Sequence, residues 1–337
     1  MRTSGRKDRR EASSSRPRAS VSPLVVIVGP TAVGKTALSL HLAEALDGEI
    51  ISADSRSFYR GMDIGTAKPT KEERARVPHH LIDIADPDET VGLAEYQDLA
   101  YATIDNVLVR DKLPLLVGGT GQYVQAVVEG WRIPRVAPHP DLREELETKA
   151  ERESPYALHD WLKQLDPKAA ANIHPHNIRR VVRALEVCLI TGRPISEQQG
   201  KDPPPYHILQ IGLTMDRDQL YERADRRLEM MIDAGLVDEV RGLLEQGYHW
   251  HLPSMSAVGY AEFKSFFGNQ QTESTEAETL DDVLEEIQSN LHRFIRHQYN
   301  WFSLDDPVIR WFDITPATHE EIEAFVRTWL NELHWKF

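Results

Sequence analysis

The sequence is poor in cysteine and lacks long apolar runs. Its 337 residues include one cysteine, Cys188, which excludes a disulfide framework and favours a reducing compartment, so we expect a cytoplasmic protein. No stretch approaches the roughly 18 consecutive apolar residues that a membrane-spanning helix needs. These absences exclude a membrane protein and a small disulfide-stabilised domain. With 41% hydrophobic residues, the chain is long enough for one elaborated domain or two.

Positive charge is scarce outside the first twenty residues. Residues 1–20 hold seven Lys or Arg and two Asp or Glu, a net charge of +5, which leaves −19 for the rest of a chain that totals −14. The basic segment lacks the apolar stretch of a secretory signal, so we predict a disordered basic arm over residues 1–22. An arm that contacts nucleic acid is the alternative. Because the body is acidic, any RNA contact has to come from local basic patches.

A phosphate-binding turn follows the first apolar stretch. Its sequence matches G-x-x-x-x-G-K-[ST], between a predicted strand at 24–28 and a predicted helix at 35–46. The glycines let backbone N–H groups point into the loop, and the helix N-terminus adds partial positive charge. Lys35 supplies a point charge, and Thr36 supplies a hydroxyl for a metal ion. The predicted loop consists of Gly29, Pro30, Thr31, Ala32, Val33, Gly34, Lys35 and Thr36.

The same pattern occurs in ATP-binding and other nucleotide-binding proteins, but an expected acidic partner is missing. ATP-hydrolysing machines usually hold magnesium with an acidic residue at the end of a second apolar strand. Here the candidate strand, "LPLLVGG", ends in Gly118, Gly119 and Thr120. This tells against a motor or a switch, and it leaves small P-loop kinases and other diphosphate chemistry.

The wider pattern predicts an α/β fold with a P-loop-type parallel sheet core, flanked by helices, and an inserted all-helical domain. Composition changes at the proline-rich residues 131–141, and the following residues to 191 look wholly helical. We assign residues 23–131 and 205–337 to the core with its C-terminal helices, and 132–204 to the insertion. The remaining predictions are strands at 48–55, 113–121 and 208–215, a short helix after the third strand through Glu129, helices at 217–246 and 280–303, and a mobile acidic loop at 269–279.

Asp54 ends the second predicted strand, and two interpretations of it stay open. A strand-end aspartate often caps the following turn. It also lies at the carboxyl end of the strand after the phosphate loop, where a general base would face a ligand. The nearby Arg56, Arg60 and Lys68 either bind anions or are merely solvated. The residues alone do not decide between these interpretations.

Six motifs, taken together, resemble one family. In order they are "GPTAVGKT", "ISADSRSFYRGMDIGTAKP", "HHLIDIADP", "LLVGGTGQYVQAVVEG", "IHPHNIRRVVRALEV" and "SAVGYAEF". Their order and spacing closely resemble the tRNA dimethylallyltransferase family, also called isopentenyl-diphosphate:tRNA transferases. The resemblance runs from about residue 24 to 303, and its most specific element is D-S-x-x-x-Y-x-G-M-D-I-G-T-A-K-P.

The resemblance implies transfer of a dimethylallyl group from dimethylallyl diphosphate onto N6 of the adenosine 3′-adjacent to the tRNA anticodon, position 37. The product would be N6-isopentenyladenosine. The loop would bind the diphosphate, which is a leaving group, so no ATP need be spent. The implied catalytic residues are Asp54 as general base, Lys35 and Thr31, and Thr36 would hold Mg²⁺. Arg223 and Arg227 would reach the diphosphate, although from spacing alone their segment is equally an exposed amphipathic helix.

The resemblance also implies tRNA contacts, and we expect a monomer that binds the anticodon stem-loop. The contacts beside the base are Asp54, Ser55, Arg56, Ser57 and Thr120. Those in the inserted helices are Arg143, Arg179, Arg180, Val181, Val182 and Arg183. Arg179 and Arg183 would share one helical face, and Val182, Leu185 and Leu189 would be buried on another.

The late helix departs from the family pattern, which usually has Lys-Arg-Gln-x-Thr-Trp. In "LHRFIRHQYNWF", residues 291–302, Gln298 and Trp301 are kept, whereas Arg296, His297 and Asn300 replace Lys, Arg and Thr. RNA contacts from this helix are therefore open. Two other function classes stay in view: a small-molecule P-loop kinase with Asp54 as its base, and a non-catalytic RNA-binding module, which would need neither an intact loop nor Asp54.

Overall fold

A six-stranded parallel sheet forms the centre of the computed structural model, which describes residues 22–268 and 279–335. The strand order is β3-β2-β4-β1-β7-β8. Its strands are β1 (Pro23–Val28), β2 (Gly48–Ser52), β3 (His79–His80), β4 (Leu113–Val117), β7 (His207–Thr214) and β8 (Ile309–Asp313), and a separate antiparallel pair consists of β5 (Trp131–Arg132) and β6 (Gly200–Lys201). Apart from Ser22 and Thr279, the predicted arm and acidic loop lie outside the described residues.

Helices cover both faces of the sheet and fill the segment between β5 and β6. They are α1 (Lys35–Ala45), α2 (Lys71–Arg76), α3 (Leu93–Val109), α4 (Gly121–Val128), α5 (Pro140–Arg152), α6 (Pro155–Leu165), α7 (Pro167–Asn172), α8 (Ile178–Thr191), α9 (Ile195–Gln198), α10 (Arg217–Asp233), α11 (Leu236–Glu245), α12 (Phe263–Gly268), α13 (Leu280–Gln298) and α14 (Thr318–Glu332). Within the described ranges, none of them has the length and apolar character to cross a bilayer. The predicted fold class is confirmed.

The central strand β1 is buried on both sides. Val25 and Ile27 pack into the cluster shared with α1 and α14, while Leu24, Val26 and Val28 pack into the cluster shared with α3 and α4. Alternate side chains of a strand point to opposite faces, so a strand covered on both sides is continuously apolar. This is why the apolar run alone identified β1 as an interior parallel strand.

Several predicted boundaries were wrong. The second strand ends at Ser52 and not at residue 55. The Ala53 N–H donates the last hydrogen bond to β4, to the Val117 carbonyl, and the chain turns after it. The predicted helix 217–246 is two helices, since Gly235 adopts a left-handed φ of 99° between α10 and α11. The segment 141–191 is four helices, α5 to α8, and two of the breaks precede Pro155 and Pro167. The last long helix ends at Gln298, short of 303.

Several elements were missed, among them β3, α3, β8 and α14. In α3, the buried residues Tyr96, Ala100, Ile104 and Val107 recur at helical spacing. That amphipathic signal was available in the sequence. The edge strand β8 has only five residues, and its two buried positions, Ile309 and Phe312, do not follow the period of two that marks a strand.

The helices α5 to α9 form their own apolar cluster, which includes Leu158, Leu162 and Leu185. The chain enters and leaves them through β5 and β6, where Trp131 pairs with Lys201 and Arg132 with Gly200. The Asp202 N–H also donates to the Gly130 carbonyl at 2.7 Å. A two-stranded neck therefore joins the helical insertion to the sheet.

Candidate active site

The phosphate loop connects β1 to α1. Gly34 caps the helix with a φ of 115°, a conformation that favours glycine, so the loop can close tightly before Lys35. Lys35 folds back over this loop, and its Nζ donates to the Gly29 carbonyl at 2.9 Å and to the Pro30 carbonyl at 2.8 Å. The first-turn N–H groups of α1 are left to face an anion.

The ends of β2 and β4 meet beside this loop. A Cβ added at Gly118 would lie 2.2 Å from the Ala53 carbonyl oxygen, so the two turns approach at a distance that only glycine permits. The Ser55 N–H donates to Thr120 Oγ1 at 3.3 Å. Since β4 lies between β1 and β2, this contact brings Asp54 to the same edge of the sheet as Lys35.

Asp54 is half-buried in a turn that supports both interpretations of its role. Its Oδ1 accepts the Arg56 N–H at 2.9 Å, which is the turn-capping bond. Oδ2 accepts no hydrogen bond within the described parts of the chain, so it is available for a second task. One oxygen fixes the carboxylate, and the other can receive a proton.

Burial makes two cations at this edge easier to deprotonate. It lowers the pKa of Lys35 to about 8, against the opposing attraction of the Asp54 carboxylate. Burial likewise lowers the pKa of Arg227, and Asp54 again opposes the shift. Two cations and one carboxylate therefore share a poorly solvated volume, which a bound anion would stabilise electrostatically.

The two predicted arginines of α10 flank the loop. A guanidinium nitrogen of Arg223 lies 3.9 Å from the position of a Cβ built on Gly34. Arg227 is half-buried, and its guanidinium donates to the Ala67 carbonyl at 3.5 Å. Both positions fit the predicted role of contacting phosphates at the loop.

Sequence reasoning missed the role of Gln298. This side chain is 3% exposed, its Oε1 accepts the Thr31 N–H at 2.8 Å, and its Nε2 donates to the Gly119 carbonyl at 3.1 Å. It therefore bridges the phosphate loop and the β4 turn. The signal available was its retention in a late helix whose neighbouring motif positions are altered.

The burial of the late helix explains that pattern. The kept residue Trp301 packs against α4, where a Cβ on Gly121 would lie 2.3 Å from its side chain, and its carbonyl accepts from Gln125 at 3.1 Å. The replaced positions Arg296, His297 and Asn300 are all exposed. The two kept residues contact neighbouring elements, and the three that depart from the expected pattern face solvent.

The predicted RNA contacts beside Asp54 are only partly accessible. Ser57 is 6% exposed, so a direct side-chain contact there would require movement. Arg56 is half-buried and donates to the carbonyls of Pro253, at 2.7 Å, and Ser254, at 3.5 Å. Ser55 and Thr120 are half-buried and bonded to each other through the backbone N–H of Ser55.

The predicted contacts in the helical insertion separate into two groups. Arg179 and Arg180 are exposed, and neither guanidinium pairs with a carboxylate in the described residues. Arg143 and Arg183 instead both bond to Glu186, whose side chain is fully buried. These two bonds, with the His139 N–H, lower the pKa of Glu186 to about 2, although burial acts in the opposite direction.

Of the three residues predicted to be buried in α8, two are confirmed and one is wrong. Val182 and Leu185 are buried in the helical cluster, as predicted. Val181 is buried there too, so contacts of Val181 and Val182 with RNA stay predictions that the burial of their side chains does not favour. Leu189, expected to be buried with Leu185, is 38% exposed, because it lies near the end of α8 and faces away from the cluster.

The loop suits a metal ion that a bound phosphate helps to hold. In residues 22–268 and 279–335, no three His, Cys, Asp or Glu side chains are grouped to hold a metal ion. The Thr36 hydroxyl lies at the start of α1, half-buried and with no hydrogen bond to the described chain. Magnesium usually keeps few protein ligands and binds substrate phosphates, so these residues fit Mg²⁺ held jointly with a diphosphate.

Comparisons with known proteins agree on one family. The model of the IPP transferase family matches residues 57–305. A tRNA dimethylallyltransferase of Roseiflexus castenholzii is 55% identical over 305 residues, covering 90% of this chain and 97% of that protein. The tRNA isopentenylpyrophosphate transferase of Bacillus halodurans superposes with a TM-score of 0.68 at 42% identity, over 93% of this chain and 98% of that one.

A more distant structure shares the architecture. A eukaryotic dimethylallyltransferase acting on tRNA superposes with a TM-score of 0.75 at 25% identity, covering 91% of this chain and 77% of that one. The family match extends over most of this chain, and the identity to the curated relatives is high across nearly their whole length. The chain belongs to the tRNA dimethylallyltransferase family.

Proposed function

We propose that this enzyme transfers the dimethylallyl group of dimethylallyl diphosphate to N6 of adenosine 37 in tRNA. The observation that carries the proposal is the meeting of Lys35, Asp54 and Arg227 at one edge of the sheet, where the Asp54 carboxylate attracts both cations. A loop for a diphosphate and a carboxylate with a free oxygen are the two parts that this reaction needs.

The donor half of the site would stabilise the leaving group. As the allylic C1–O bond breaks, negative charge grows on the diphosphate. Lys35, the N–H groups at the start of α1, and Arg223 and Arg227 are arranged around the loop that would hold it. Magnesium, bound through Thr36 and the diphosphate oxygens, would supply further positive charge to the leaving group. Thr31 would contribute through its place in the same loop.

The acceptor half would remove one proton. The exocyclic amine of adenine is a weak nucleophile, since its lone pair is delocalised into the ring. As N6 bonds to C1, Oδ2 of Asp54 takes the proton that N6 loses. Atoms balance without a co-reactant: the products are N6-isopentenyladenosine, diphosphate and a proton held by Asp54.

The tRNA would bind a basic surface of the enzyme and place adenosine 37 in the site by flipping that base out of the anticodon loop. Adenosine 37 lies in the anticodon loop, and unstacking a loop base costs only a few kcal/mol. Arg179 and Arg180 are exposed on the helical insertion and would contact the phosphate backbone. Ser55, Arg56 and Thr120 line the turn beside Asp54. A cytoplasmic monomer remains part of this proposal.

The test is prenyl transfer to unmodified tRNA, followed by mass spectrometry of the nucleosides. With Mg²⁺ and dimethylallyl diphosphate, we expect N6-isopentenyladenosine at position 37 without ATP. Lys35→Ala should lower the chemical rate more than it weakens tRNA binding, because the charge it balances grows in the transition state. A requirement for ATP, with release of ADP, would overturn the proposal and favour a P-loop kinase.

A further inference from the structure

We propose that Gln298 is a positioning residue that holds the diphosphate-binding loop in register with the rest of the anion site. The inference rests on the proposed function, since it concerns the loop that would bind the donor. It starts from a buried side-chain amide with both polar atoms engaged: Oε1 accepts from Thr31 N at 2.8 Å, and Nε2 donates to Gly119 O at 3.1 Å. A glutamine is the neutral side chain that can accept at one end and donate at the other over this span.

The bridge joins two segments that are far apart in sequence. Thr31 lies in the loop after β1, and Gly119 lies in the turn after β4, beside the segment that holds Asp54. The side chains of Lys35 and Gln298 crowd the same spot: a Cβ on Gly119 would lie 2.4 Å from Gln298 Nε2 and 3.5 Å from Lys35 Nζ. The amide thus ties the phosphate loop to the β4 turn, close to Lys35 and to the turn that holds Asp54.

Gln298 also connects the loop to α10, the helix that carries Arg223 and Arg227. It is the last residue of α13, and α13 packs against α10 through apolar side chains and through three contacts that involve polar groups. The rings of Tyr221 and His292 stack with centroids 4.0 Å apart, His292 pairs with Asp225 at 2.9 Å, and Arg296 donates to the Tyr221 hydroxyl at 3.1 Å. Arg223 and Arg227 belong to the same stretch of α10. The chain of contacts therefore runs from the loop through α13 to the helix that carries the two arginines.

Losing the bridge should loosen a preformed site. The Thr31 N–H and the Gly119 carbonyl would lack their partner, and the loop would have to be ordered when an anion binds. A loop that is already ordered binds an anion more tightly, because less conformational entropy is lost on binding. A misplacement of about 1 Å near the reacting atoms can lower the rate about a hundredfold. The fold itself has other supports, because the ladder bonds between β1 and β4 do not involve Gln298.

Two variants test the bridge. Gln298→Met keeps the length without hydrogen bonds, and Gln298→Asn keeps the amide but is one methylene too short to reach both partners. Gln288→Met is the matched control, since it changes the same residue type on the same helix away from the loop. Inorganic diphosphate with Mg²⁺ is titrated calorimetrically, tRNA Kd is measured by filter binding, and kcat and KM are measured for prenyl transfer.

We expect both Gln298 variants to weaken diphosphate binding about tenfold and to lower kcat by about ten- to a hundredfold. Their tRNA Kd should stay within about twofold of wild type, and the control should match wild type throughout. Unchanged diphosphate affinity and kcat in both variants would overturn the inference. So would a parallel loss of tRNA binding and thermal stability, which marks a purely structural role. Diphosphate binding is measured without tRNA, so it tests the bridge even if the prenyl-transfer reaction proposed above is wrong.

Discussion

At the scale of single residues, the two carboxylate oxygens of Asp54 have different roles. Oδ1 fixes the turn through the Arg56 N–H, and Oδ2 is left for the substrate. Asp54→Asn keeps the turn bond but removes the base, so turnover should fall by about 10²–10⁴ while tRNA binding stays nearly intact. Asp313→Asn is the matched control, because Asp313 is also a strand-end aspartate, but on the edge strand β8. Near-normal turnover of the Asp54 variant would remove its assignment as the base.

Lys35 gives the loop a pH dependence. Its pKa of about 8 means that it is charged below pH 8 and loses its proton above it, so diphosphate should bind more weakly as pH rises from 7 to 9. Above pH 8, binding should take up a proton, which calorimetry in buffers of different ionisation enthalpy detects. Lys35→Arg stays charged and reports the titration of the ligand alone. The same pH dependence in this variant and in wild type would contradict the prediction.

At the scale of elements, α8 exposes Arg179 and Arg180 to solvent, whereas its Arg183 pairs with the buried Glu186. Replacing Arg179 and Arg180 together with alanine should weaken tRNA binding and reduce its salt dependence by about one to two phosphate contacts. Folding stability and diphosphate affinity should barely change. Arg310→Ala, on the edge strand β8, controls for the loss of positive charge alone. A tRNA affinity that keeps its full salt slope in the double variant would show that RNA lies elsewhere.

Arg183 belongs to the fold of the insertion. Its guanidinium bonds to the buried Glu186 and to the carbonyl of Val136 at 3.0 Å. Arg183→Ala leaves that carboxylate with Arg143 alone, and we expect a loss of about 1–3 kcal/mol in the free energy of unfolding. Urea denaturation measures it, with Arg152→Ala as an exposed control from α5. This loss of unfolding free energy should become smaller as pH falls towards 2. The ion pair stabilises the fold only while the Glu186 carboxylate is ionised, and its pKa is lowered to about 2. An unfolding free energy equal to the control would refute this role.

The elements that could be predicted from the sequence are mainly those specified by residues close together along the chain. The run over 24–28 and the loop after it specify β1 and α1 through apolar content, glycine and lysine within a few residues. The Gln298 bridge was out of reach because Thr31 and Gly119 come near it only after the chain has folded. Likewise, Arg179 and Arg183 share a helical face by spacing, but only the packing of α5 on α8 shows that a buried glutamate holds Arg183.

At the scale of the whole molecule, an acidic body carries a small basic surface. The total charge is −14 and the isoelectric point about 5.5, so general attraction to nucleic acid is weak. We expect an anticodon stem-loop to bind about tenfold or more tightly than an RNA duplex of equal charge, because loop bases can unstack and duplex bases cannot. Competition binding at fixed salt measures the ratio. Equal affinity would mean that charge alone governs recognition.

Because β5 and β6 form a narrow neck, we expect the helical insertion to be separable from the core. Because Arg132 lies opposite Gly200, the whole insertion is topologically the loop of a β-hairpin, and a turn of a few residues would reconnect the two strands. The insertion has its own apolar cluster, so its removal leaves the sheet clusters covered. We therefore expect a chain with residues 133–199 replaced by Asn-Gly to keep diphosphate binding and to accept other helical insertions at this single junction.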